Sequence, residues 1–287
     1  MFSFFRCLCG LAILPFILAT PLYADTFKLP LPTGSETHFA LQVDLLELAL
    51  QYAPGDHRLE IIHADRLSQK RGLAMLDEGQ VDVALAGYNR YAERHLLQID
   101  YPLTKGLQGY RLLITRADMV EEFDRVESLE LLKDICIGSG HSWVDTLILK
   151  QADLCVVEGP GPSLYGMLEM RRFDVMHLAI HELGTENVQR MLRQHNLVVY
   201  PKLLLRYPYD FYFYVRKDSK PVHDLIEQGF HAATQDGAID RSFQEHPGIG
   251  YALRFLKEHP DLQIIDLDNP EMTDGNSANI YRYWPGN

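Results

Sequence analysis

The chain has 287 residues, 47% of them hydrophobic and 23% charged, and its 39 acidic side chains outnumber 27 basic ones, giving a formal net charge of −12 at pH 7. That balance argues against nucleic acid or an anionic membrane surface as partner, because both recruit cationic faces. A small solute remains open.

The first 24 residues, "MFSFFRCLCGLAILPFILATPLYA", combine one basic residue (Arg6), an apolar stretch and small residues before Ala24. This reads as a secretory signal peptide over residues 1–24, with an exported, soluble mature chain. A membrane anchor fits less well, because Leu11 to Leu18 falls short of the ~20 residues that span a bilayer and contains Pro15. Cys7 and Cys9 lie too early for a lipid-modified first residue. Cleavage leaves 263 residues of net charge −13, enough for one large domain or two lobes. Two cysteines remain, Cys136 in "DICIG" and Cys155 in "DLCVV", both in strand-like runs. A bridge would contribute roughly 3 kcal/mol in the chain-entropy model, and two buried thiols are the alternative.

In chain order, "FKLPLP" reads as a strand and "FALQVDLLELALQYA" as a helix with Phe39, Val43, Leu46 and Leu50 at helical spacing. "HRLEIIHA" is a strand, "LSQKRGLAMLDEG" a helix stopping at Gly79, and "VDVALAG" a buried strand. "AMLDEGQVDVAL" then returns as "GMLEMRRFDVMHL", with Asp82 and Asp174 in register and the same alternation of strand and helix before it. The repeat predicts two similar α/β lobes, each a mainly parallel sheet flanked by helices. Two extended runs, "TKGLQGYRLLITRA" and "LLLRYPYDFYFYVRKDS", serve as crossovers. Residues 25–111 and 209–287 form lobe one and residues 112–208 lobe two, with the binding site in the cleft. The segment from about Leu253, with turns at Asn269-Pro270 and Pro285-Gly286, reads as an extended tail.

The stretch "LDEGQVDVALAGYNRYAERHLLQIDYPLTKGLQGYRLLIT" resembles type II periplasmic solute-binding proteins, specifically family 3, which serves ABC-type uptake of polar amino acids. The likeness spans roughly residues 27–245 and points to a less-characterised subset. It implies a two-lobed, monomeric protein without a cofactor, which captures a small polar ligand for a membrane permease or a membrane sensor. It also places Arg94 where a guanidinium forks onto a carboxylate, with Asn89 as a polar contact. Tyr88 and Tyr91 flank Asn89 as aromatic cover or as lobe packing. In lobe two, "GSGHSW" offers His141, Ser142 and Trp143 after a strand. Arg71 adds an anion contact, and Arg66 reads as surface charge.

One departure bears on the ligand. Where amino-acid binders of this family place an Asp for the ammonium, "FDVMHLAIHELG" has Ala179 or Ile180, with His181 or Glu182 further along. The expected ligand is therefore a carboxylate-bearing compound without the α-amino acid's ammonium, or a peptide-like or cyclic metabolite. "HELGT" lacks the second histidine of a zinc helix, and His38, His57, His63, His95, His177 and His195 show no ligand spacing, so no metal is expected. Lyase chemistry would rest on Glu182 and His181 alone, so no catalytic residue is assigned.

Overall fold

The computed structural model describes residues 24–65, 67–141, 143–272 and 280. Residues 1–23 of the signal segment, Arg66, Ser142 and the Pro285-Gly286 turn lie outside the described residues. The first half runs β1 (Ala24–Pro32), α1 (Ala40–Tyr52), β2 (Asp56–Ala64), α2 (Gln69–Asp77), β3 (Ala84–Gly87), α3 (Arg90–His95) and β4 (Leu96–Gln98). The second opens with β5 (Tyr110–Arg116) and the one-turn helices α4 (Val120–Phe123) and α5 (Leu129–Leu132). Then come β6 (Cys136–Gly140), α6 (Val144–Gln151), β7 (Cys155–Gly159), α7 (Leu164–Glu169), β8 (Val175–Ala179), α8 (Glu186–Gln194) and β9 (Leu197–Arg206). The chain finishes with β10 (Phe211–Arg216), α9 (Lys220–Gln235), α10 (Ala238–Glu245), α11 (Pro247–Glu258) and β11 (Gln263–Asp266).

Two sheet systems result, one per lobe. In the first, β1 and β2 pair in parallel while β10 lies antiparallel between β3 and β4. Asp82 and Val83 N–H groups donate to the Lys28 carbonyl and tie the two pieces together. The second sheet has order β11-β9-β5-β8-β6-β7, with β5 antiparallel to both neighbours. Strands β5 and β10, which lie within the two crossover segments, are the ones that run against their neighbours. Alternation along β5 sends Leu112 and Ile114 into one core and Leu113 into another, so both faces of this sheet are covered.

The repeated phrase folds the same way twice. Asp82 Oδ2 accepts the Lys28 N–H at 2.9 Å, and Asp174 Oδ2 accepts the Cys136 N–H at 2.9 Å. Each carboxylate thus holds the strand beside it. Four residues before the repeated Val, Gly79 and Arg171 are corresponding turn positions, both left-handed, at φ 69° and 58°. The helices α2 and α7 end with matching bonds, Gln80 N–H to the Met75 carbonyl and Arg172 N–H to the Met167 carbonyl.

The crossovers are buckled by one buried acid. Asp210, on the second crossover, accepts the Thr104 N–H at 2.9 Å and the Gly106 N–H at 2.6 Å from the first. Cys136 and Cys155 face each other across β6 and β7 and form a disulfide with Cα atoms 4.5 Å apart.

The C-terminal region differs from the expectation that it belongs to lobe one. Leu253 lies inside α11, whose Pro247 occupies the first turn and whose His246 caps it. That helix packs on the 3-10 turn Glu182–Gly184 of lobe two. Beyond it, β11 pairs in parallel with β9, so Gln263–Asp266 extends the second sheet. Short and preceded by a polar turn, this strand lacks the alternation that marks a strand in sequence.

Candidate functional site

A cavity of about 690 Å³ lies between the lobes. Lobe one supplies α2 (Gln69, Lys70, Leu73, Ala74) and the start of α3 (Asn89, Tyr91); lobe two supplies Trp143, α6 (Val144, Thr146, Leu147, Lys150) and Glu158 on β7. Ser68 caps α2 by accepting the Arg71 N–H, which fixes the helix start whose next residues face the cavity. On the other side the indole of Trp143 lies over Gly140, where a Cβ would sit 2.1 Å from its ring. The small residue is what lets the ring lie flat on the strand end.

Of the expected contacts, Asn89, Tyr91 and Trp143 converge on this cavity. Asn89 arrives there as the N-cap of α3: its Oδ1 accepts the Ala92 N–H and its Nδ2 donates to the Gly87 carbonyl. Tyr91 is exposed, stacked on His95 and bonded through its hydroxyl to Asp77. His141 sits at the rim, exposed, with Nδ1 3.6 Å from Glu158. Ser142 lies outside the described residues.

The others are placed elsewhere. Arg94 is exposed and does not line the cavity; it lies three residues past Tyr91, about 4.5 Å further along α3, where its carbonyl accepts from Lys217 Nζ. Arg71 turns toward Glu78, 3.8 Å away on the outer face of α2. Its neighbour Lys70 faces the cavity in its stead. Tyr88 is fully buried in the core. His181 is buried behind the cleft, with its carbonyl against Gly248 of α11.

Behind the cavity lies a charge network in which Glu182, named in the sequence analysis, meets Arg111, Asp145 and Tyr207, which were not singled out there. Arg111 of β5 is buried, with one guanidinium nitrogen 2.5 Å from Asp145 and another 3.9 Å from Glu182. Tyr207 donates to Asp145 at 2.5 Å, and the rings of Tyr207 and Tyr209 lie 5.8 and 5.7 Å from the guanidinium carbon. Burial works against the Arg111 cation, but Asp145, Tyr207 and Glu182 raise its pKa overall. Glu182 accepts the Ala179 N–H at 2.8 Å and reaches His38 of lobe one at 3.7 Å. Burial pushes this acid up, yet His38, Arg111 and His181 bring it below its ordinary value. Burial pulls His177 and His181 each down to about 4. These buried side chains fill the space behind the cavity. Tyr209 completes the closure, its hydroxyl 1.9 Å from where a Cβ on Gly87 would stand. An arginine inside "GYRLLI" was the available signal, since a charge in a buried strand requires buried counter-charges. Among the described residues no cluster of His, Cys, Asp or Glu has the make-up of a metal site. None of their helices is long and apolar enough to cross a membrane.

No protein-family model matches the chain, and neither does any curated protein. Solved structures do match. An ancestral amino acid-binding protein, a precursor of cyclohexadienyl dehydratase, superposes with a TM-score of 0.56 at 13% identity, over 77% of this chain and 95% of its own. An ancestral arginine-binding protein bound to arginine gives 0.55 at 14%, over 77% and 97%. The amino acid ABC transporter substrate-binding protein AbpA from Streptococcus pneumoniae, bound to L-arginine, gives 0.54 at 14%, over 79% and 95%. The chain therefore has the two-lobed α/β fold of periplasmic amino-acid-binding proteins.

Proposed function

We propose that the chain is an exported solute-binding protein of the type II, family 3 kind, which holds a small carboxylate-bearing ligand between its lobes for an ABC-type permease. The observation that carries this reading is the cavity itself, whose two walls come from different lobes. A ligand lodged there stabilises one lobe spacing, and a membrane partner reads that spacing. Glu182, the acid that lyase chemistry would need, is held by the Ala179 N–H and lies near Arg111 and His38, which supports binding over turnover. Periplasmic location and a monomeric state belong to the same proposal.

Isothermal titration against amino acids, organic acids and short peptides tests it. One compound should bind at one site per chain and be recovered unchanged. Turnover of the bound compound, or no binder across the panel, would overturn the assignment.

A further inference from the structure

We infer that the cavity between α2 and α6 takes an amphipathic monoanion, a carboxylate carried on an aromatic or fused-ring body with no ammonium group. The inference rests on the solute-binding reading and names the ligand class of that same site. Charge is the first argument. In a chain of net charge −12, the charged residues lining this cavity are Lys70, Lys150 and Glu158, a local excess of one cation. Lys150 Nζ is spent on Glu158 at 2.5 Å. Lys70 is exposed at the mouth, and its ammonium has no hydrogen bond or ion pair among the described residues. One carboxylate matches one such ammonium.

The neutral polar groups are already used. Asn89 spends both ends of its amide on α3 and Gly87, Thr146 donates to the Gly140 carbonyl and lies 2.8 Å from the Ser139 hydroxyl, and Gln69 Oε1 accepts the Gly87 N–H. Among the described residues lining this space, an ammonium would find Glu158 alone as a carboxylate partner, and Lys150 already occupies it. Elsewhere, the carboxylate nearest Ala179 is Glu182, buried beneath the cleft and outside the cavity lining. An amine would lose its water without replacement, at a cost of several kcal/mol.

Apolar surface and size complete the description. Trp143, Leu73, Val144 and Leu147 form the walls, and the volume of about 690 Å³ exceeds several-fold the ~150 Å³ that accommodates benzene in an apolar cavity. A single small organic acid would leave most of that surface wet. Rings stacked on the indole would fill it.

The test compares indole-3-propionate with L-tryptophan, which differ by the ammonium alone, by isothermal titration on the mature chain. Indole-3-propionate should bind at least tenfold more tightly. Lys70→Ala should weaken it at least tenfold, and Leu147→Asp, at a position 51% exposed where folding is undisturbed, should do the same by setting a negative charge in the wall. Thermal unfolding of both variants controls for folding. Equal or tighter binding of L-tryptophan, or unchanged affinity in Lys70→Ala, would overturn the ligand class while leaving solute binding intact. Capture of a different solute from the wider panel, with no binding of ring acids, would do likewise. Failure of every compound would remove both readings.

Discussion

A buried guanidinium is tolerated only while its counter-charges remain, and Arg111 has Asp145 at 2.5 Å and Glu182 at 3.9 Å. Arg111→Met leaves two buried carboxylates without their cation, which should cost about 3–5 kcal/mol in urea unfolding. Adding Asp145→Leu should recover part of that loss, because the second change removes one of the stranded charges. No recovery would mean that packing of Arg111, rather than its charge, carries the effect. The neighbouring titrations set a pH dependence. His177 and His181 sit at about 4 in the folded chain, against about 6.5 when exposed. Over most of the range from pH 6.5 down to 4 the unfolded chain takes up two protons that the folded one refuses. Asp210 opposes this: burial pushes it up to about 7, against the N–H bonds from Gly106 and Thr104, so the folded chain holds one proton that the unfolded chain has lost. The balance is one proton in favour of the unfolded state, and stability should fall by roughly 1.4 kcal/mol per pH unit on acidification. Urea midpoints between pH 7 and 4 check the sign, and His177→Gln should flatten the slope.

Strands β6 and β7 carry the disulfide at their starts and the cavity wall at their other ends, with Gly140 under Trp143. The 19-residue separation predicts a loss of about 3 kcal/mol when Cys136→Ser and Cys155→Ser are combined, read by thermal unfolding against wild type. Solute affinity should not change, since the bridge and the wall lie at opposite ends of the strands; an equal loss of affinity would show that the strand pair moves as a whole. The same elements show what a sequence discloses. Asp82 and Asp174 were legible because each closes the same helix-turn-strand phrase, even though the strand N–H it bonds, on Lys28 or Cys136, lies far back in the chain. Asn89, Tyr91 and Trp143 were legible for a similar reason, as they lie where a strand hands over to a helix. Lys70 was not, although Arg71 beside it was singled out: neighbours on a helix point about 100° apart, and which one meets the cavity is decided by where the other lobe docks. Arg94 failed on the same ground. The four-residue β11 left no pattern, because its place is fixed by pairing with β9 far back in the chain.

Two crossovers joined by Asp210 would by themselves let the lobes rotate about a single line, but the C-terminal region adds ties away from it. Helix α11 rests on the Glu182–Gly184 turn of lobe two, β11 extends that lobe's sheet, and the Arg90 side chain of lobe one donates to the Pro270 carbonyl at 2.5 Å. His38 and Glu182 add a contact across the cleft at 3.7 Å. Lobe spacing therefore depends on how closely α11 approaches its turn, and Gly184 sets that approach. A Cβ there would stand 2.6 Å from Tyr251 Cβ and 2.8 Å from Gly248 Cα, atoms at or beside the backbone that cannot swing aside. Gly184→Val must lift α11, and with it one of the ties that hold the cavity walls facing each other. The small-angle scattering radius of the variant should exceed that of wild type, and affinity for any solute held between the walls should fall, because a ligand then has to draw the lobes together at its own expense. An unchanged radius with unchanged affinity would mean that the crossovers alone fix the spacing and that α11 only covers the turn.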